Sequence, residues 1–181
     1  MLILPINMKT HPTLIEPSTF ESLDTMGKRM ALAEDVLQRV NIGNLVPSAE
    51  QTFFQVIGGD TNWAGKDRIN QTPCEVCVKE AILCSFIGNF NKYDMGGLRS
   101  YEVEEYPPEI LEIFNSAMLG AMEIAFEKET DLVGNDTDYD LSDSLMETFC
   151  QTTSHSRLTA IMKNIIANRG KIVCKDGTVV E

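Results

Sequence analysis

The side chains best able to do chemistry in this 181-residue chain are cysteines and clustered acids. Cys74-Glu-Val-Cys77 has the CxxC spacing of redox and metal sites, and a thiol in the first turn of a helix has its pKa lowered by the helix N-terminus. Redox chemistry requires that thiol to be exposed. Here the sulfurs sit on an apolar stretch, where free cysteine behaves as a small hydrophobe, so packed thiols are expected. Zinc would need a fourth ligand beyond Cys74, Cys77 and Cys84, and no second CxxC or HxxxH supplies it. No metal and no cofactor is therefore assigned.

Asp136, Asp138, Asp140 and Glu147 fall at positions 1, 3, 5 and 12 of a calcium-binding loop. Such a loop also needs glycine at position 6 and an apolar residue at position 8, where this chain has Leu141 and Asp143. The expectation is a solvated acidic loop over residues 129–143 that caps the next helix. His11 and His155 are the only histidines, and Cys150 and His155 are near only in sequence. No GxSxG, P-loop, GxGxxG or HExxH pattern appears, so no catalytic residue is assigned.

Charge is unevenly spread. From Glu102 to Glu147 fourteen acids stand against one base, Lys128, so that segment carries −13 of a net charge of −12 and the remainder is +1. Such a field repels phosphates and attracts basic protein surfaces, which disfavours direct nucleic-acid binding. Glu104, Glu105, Asp136, Asp138 and Asp140 are the candidate contact residues on it. A second candidate surface is the loop carrying Trp63, Lys66 and Arg68, because loops on rigid scaffolds often carry function. An alternative reading places a small-molecule pocket between the Gly-containing connections at 58–68 and 96–99, with Asp60, Lys66, Arg68 and Arg99 converging on it.

The elements that must hold these residues are mostly helices. Residues 72–88 read as a central helix, with Thr72 as cap, Pro73 at the first position, Glu75 as the capping-box acid and Gly88 as the stop. Val76, Val78, Ala81, Ile82, Leu83, Phe86 and Ile87 point in nearly every direction, the pattern of a helix covered on all sides. Cys74, Cys77, Ala81, Cys84 and Ser85 form a stripe of small side chains along which another backbone could approach.

Residues 23–40 predict an amphipathic helix with Leu23, Met26, Met30, Ala33, Val36, Leu37 and Val40 inward. Lys28, Arg29, Glu34, Asp35 and Arg39 lie largely elsewhere. Within residues 41–71, TFFQVIGG reads either as a strand or as the end of a short helix beginning after Ser48, and the following DTNWAGKDRINQ has loop composition. After Pro107 and Pro108 an apolar helical pattern runs to about residue 128 and divides where Asn115-Ser116 can cap a new helix. Leu158, Ile161, Met162, Ile165 and Ile166 mark a last helix stopping at Gly170, and residues 171–181 read as a hairpin about Lys175-Asp176-Gly177.

Residues 1–21, with Pro5, Pro12 and Pro17, read as an extended arm lacking a basic leader, and no run reaches membrane-spanning length. The expectation is one mainly α-helical domain, α+β at the margin, with reduced cysteines in the cytoplasm.

Cys74, Cys77 and Ala81, the AMEIAFEKE stretch, and the run Arg157, Leu158, Ile161, Met162, Asn164, Ile165, Ile166, Ala167, Asn168 and Gly170 resemble a loose set of small uncharacterised phage, prophage and bacterial proteins. The resemblance covers about half the chain. It implies a viral or mobile-element setting, the cytoplasm of a host cell, and no particular reaction. Small acidic proteins in that setting often bind host proteins. The expected function is thus a non-catalytic interaction protein presenting residues 102–147 to a basic host partner, as a nucleic-acid mimic or inhibitor does.

Overall fold

The computed structural model describes residues 11–49, 55–56, 66–90, 107–128 and 139–181, with only the backbone at 55–56 and 139–140. In chain order the helices are α1 (Pro17–Glu21), α2 (Thr25–Asn41), α3 (Lys66–Gln71), α4 (Val78–Phe90), α5 (Pro108–Ile113), α6 (Ser116–Glu127), α7 (Tyr139–Thr148) and α8 (Ser154–Ala167). The strands are β1 (Leu45–Pro47), β2 (Gln55–Val56), β3 (Cys74–Val76), β4 (Ile172–Val173) and β5 (Val179–Val180). The fold is mainly α with short strands.

The central helix is α4, in which ten of thirteen residues, from Val78 through Asn89, are buried. It begins at Val78 rather than Thr72, because residues 74–76 are spent on β3. That strand runs parallel to β1, with Leu45 opposite Cys74 and Pro47 opposite Val76, and antiparallel to β2. Cys74 N–H donates to Asn44 C=O and Ser48 N–H to Val76 C=O, both at 2.9 Å. Cys74 and Val76 are buried and Glu75 only half so, the period of a strand. The local capping pattern at Thr72-Pro73 is overridden by this pairing. The acid that closes the helix start is Glu80, whose Oε2 accepts from Cys77 N–H at 2.8 Å. Burial raises its carboxyl above the usual range, offset in part by that N–H.

The other helix starts follow capping chemistry. Asp24 accepts from Gly27 N–H at 2.7 Å before α2, Asn115 from Met118 N–H at 2.9 Å before α6, and Thr153 from Ser156 N–H at 3.1 Å before α8. Asn115 therefore divides the 108–128 pattern into two helices. Lys128 closes α6 in the left-handed conformation. Two departures concern the first seventy residues. Pro17 opens α1 rather than continuing an extended arm, since its fixed φ suits a first helical position, and residues 66–71 are helical rather than loop.

α4 packs against α2, α3, α6, β1 and β3, while α8 lies on α2 and α6. Phe20 of α1 stacks on Phe90 at the end of α4, centroids 4.5 Å apart, and Phe86 adds a second ring at 5.3 Å. Residues 171–181 form the β4–β5 hairpin, with Gly177 at φ +90° in the turn. The Asn164 side chain holds that hairpin to α8, donating to Val173 C=O and accepting from Val173 N–H, each at 2.9 Å.

Candidate functional site

Three of the charged residues read from the α2 sequence as lying off its apolar side, Arg29, Asp35 and Arg39, are buried, whereas Met26, Met30 and Leu37 are only half so. Each buried arginine meets several acceptors. Arg29 Nε donates to Ile113 C=O at 2.6 Å and its Nη1 to Gly170 C=O at 3.0 Å, so one guanidinium serves the ends of α5 and α8. Arg157, on α8, does the same for α6 and the segment after α7, through Phe126 C=O at 2.7 Å and Gln151 C=O at 2.9 Å.

Among the described residues, Arg39 alone of the three pairs with a carboxylate. Its Nε lies 2.6 Å from Asp35 Oδ2, and the two side chains are 0% and 2% exposed. Ser85 of α4 donates to the same oxygen at 2.7 Å. Arg39 Nη1 donates to Asn44 Oδ1 at 3.0 Å and to Asn70 Oδ1 at 2.9 Å. The two amides pass the order outward: Asn44 Nδ2 to Ile69 C=O at 2.7 Å, and Asn70 Nδ2 to Gly88 C=O at 2.9 Å. One ion pair thereby joins α2, α3, α4 and the turn into β1.

Residues 11–16 run across this centre. His11 Nδ1 is 3.2 Å from Asn70 C=O, and Ile15 N–H donates to Asn89 Oδ1 at 2.6 Å. With its oxygen placed toward Thr13 N–H, the Gln38 amide also meets both backbone groups of Thr13 at 3.1 Å.

The ion pair is not fully closed. Nε and Nη2 share one edge of the guanidinium, so Nη2 and Asp35 Oδ1 are the atoms of the second leg of a side-on pair. Neither has a hydrogen bond among the described residues. Gly88 lets Nη2 in, because a β-carbon there would stand 2.7 Å from Nη2 and 2.8 Å from Asn70 Oδ1. The helix runs past Gly88 to Phe90, so this glycine admits a side chain rather than stopping a helix. The occupied Asp35 oxygen already takes two donors, and Arg39 is held by three acceptors, so the centre works as a clamp.

The small-residue stripe is divided between strand and helix. Cys74, Cys77 and Cys84 are all buried, and burial is the first cause of each thiol's raised pKa. Cys74 is pushed up to about 12, with Arg39 and Arg68 pulling it back. Cys77 and Cys84 also rise, with Glu80 adding to both. Protonated, enclosed thiols are poor nucleophiles, so the CxxC spacing here serves packing. Cys150, after α7, is exposed, with Lys175 Nζ 4.0 Å from its sulfur.

Of the candidate contact residues, Lys66 and Arg68 lie on α3, which packs on α4, and both are half-buried. Trp63, Glu104, Glu105, Asp136 and Asp138 lie outside the described residues, as do Asp60, Arg99 and the two glycine pairs. Asp140 is placed by its backbone alone, in the first turn of α7. Helical backbone from Tyr139 to Thr148 separates Asp140 from Glu147 by roughly 10 Å along the axis, which is not the wrapped course of a calcium loop. Elsewhere in the acidic segment Glu112, Asp143 and Glu147 are exposed, whereas Glu123 pairs with Lys79 at 2.8 Å.

A cleft of about 270 Å³ opens between α2 and α8, lined by Leu37, Val40, Asn41, His155, Thr159 and Lys163. Sequence reading passed over it, since its residues are one face of each of two helices more than a hundred positions apart. None of the described helices is long and apolar enough to cross a membrane. The chain matches no family model, no curated protein and no solved structure.

Proposed function

We propose that this is a non-catalytic interaction protein, of viral or mobile-element setting, whose acidic surface over residues 102–147 binds a basic surface of a host protein. The observation that carries this reading is the charge division: fourteen acids against one base in that segment. Asp143 and Glu147 support it in detail. They stand one turn apart on an exposed face of α7 and make no ion pair among the described residues, so their charge is directed at solvent. The partner fitted to such a face is a protein whose groove ordinarily receives a phosphate backbone.

The test is capture from host lysate with immobilised protein, followed by stepwise salt and by competing duplex DNA. A partner released by moderate salt and displaced by DNA supports the reading, since an electrostatic interface weakens as ions screen it. The charge-reversed variant Asp143→Lys/Glu147→Lys should then lose most of that partner. Capture that ignores both salt and the variant removes the basis of the proposal.

A further inference from the structure

We infer that the cleft between α2 and α8 is a binding site for a small monocarboxylate with a short apolar body. Four of its six lining side chains are polar: Asn41, His155 and Lys163 are exposed at its rim and Thr159 is half-buried, and none is tied up in a hydrogen bond or ion pair among the described residues. Leu37 and the buried Val40 supply apolar surface beside them. Apolar surface with a few polar groups beside it is how small-ligand sites are built, and a cleft of about 270 Å³ lies just below their usual range, which limits the ligand to a small one.

Charge decides the ligand class. Residues 151–181 carry five bases against two acids, the reverse of the preceding segment, and the one lining residue with a formal charge is Lys163. An anion is therefore drawn to this end of the molecule and away from residues 102–147. With a net charge of −12, each added negative charge on a ligand increases its repulsion from the whole, which favours a monoanion over a phosphate dianion. Lys163 would meet the carboxylate, Asn41 and Thr159 offer neutral donors, and the apolar body would cover Leu37.

The test uses the full chain with sodium acetate, butyrate and hexanoate, each against matched NaCl, followed by NMR shifts at His155, Thr159 and Lys163. Affinity should rise roughly fourfold for each methylene that reaches the apolar surface. Lys163→Met, which keeps the stem and removes the charge, should weaken hexanoate severalfold, since an exposed ion pair contributes modestly. Leu37→Ala should flatten the dependence on chain length. Shifts no larger than those in NaCl would overturn the inference. So would an unchanged affinity in Lys163→Met, or inorganic phosphate binding more tightly than hexanoate. Loss of the host partner in the preceding experiment would leave these outcomes untouched, because the two surfaces share no residue.

Discussion

The guanidinium of Arg39 lies against the bare Cα of Gly88, so that a β-carbon at position 88 would stand 2.7 Å from Nη2 and 3.0 Å from Cζ. A helix interior ordinarily gains about 1 kcal/mol when glycine becomes alanine. Here the added methyl meets a charged group held by Asp35, Asn44 and Asn70, none of which can yield without opening a buried hydrogen bond. Gly88→Ala should therefore destabilise the protein by about 1 to 3 kcal/mol, the range for overpacked cores. Urea denaturation reads this directly, and a neutral or stabilised variant would mean that Arg39 is not confined there.

Breaking the ion pair from one side should cost more than removing it whole. Arg39→Met leaves Asp35 buried beside Ser85 with its main counter-charge gone, an expected loss of about 3 to 5 kcal/mol. Asp35→Leu combined with Arg39→Met removes both charges and should recover a large part of that loss. A double-mutant cycle in denaturant gives the coupling. Single and double variants of equal stability would show that the clamp adds nothing to the surrounding packing.

Thiol chemistry should separate Cys150 from the other cysteines. In the native protein a small maleimide should add to one thiol, because Cys74, Cys77, Cys84 and Cys174 are buried and their pKa values raised. In denaturant it should add to all five. Rapid labelling of Cys74 and Cys77 under native conditions, seen by mass spectrometry, would restore the redox reading of that pair.

The C-terminal hairpin should carry its own acid dependence. The Ser144 hydroxyl and the Thr178 N–H hold the Asp176 carboxyl below its ordinary range. A depressed folded pKa contributes stability above the unfolded value of about 4 and loses it as pH falls through the folded value. Hydrogen exchange at the hairpin amides Cys174 and Gly177 should therefore quicken, relative to the α4 amides, as pH drops below about 4. Asp176→Asn should show the quickened exchange already at neutral pH and no further acid step.

What was legible in the sequence was whatever depends on neighbours within a few residues. The apolar spacing of Leu158, Ile161, Met162, Ile165 and Ile166 is enough to define α8, and Asn115-Ser116 to divide α5 from α6, because periodicity and capping are local. The all-round apolar surface of residues 78–87 likewise marked α4 as buried.

Tertiary structure decided the rest. Thr72 to Glu75 satisfy every local rule for a helix start, yet pairing with residues 45–47 makes 74–76 a strand, since that gain comes from a segment nearly thirty positions away. Asp35 and Arg39 have the i,i+4 spacing of an ordinary surface pair. Only the arrival of Ser85, Asn70 and Gly88 from two other helices turns them into a buried centre. The α2/α8 cleft, too, exists only once residues 37–41 and 155–163 face each other. A side chain's burial is set by what packs on it, and distant segments leave no periodic mark on the sequence they cover.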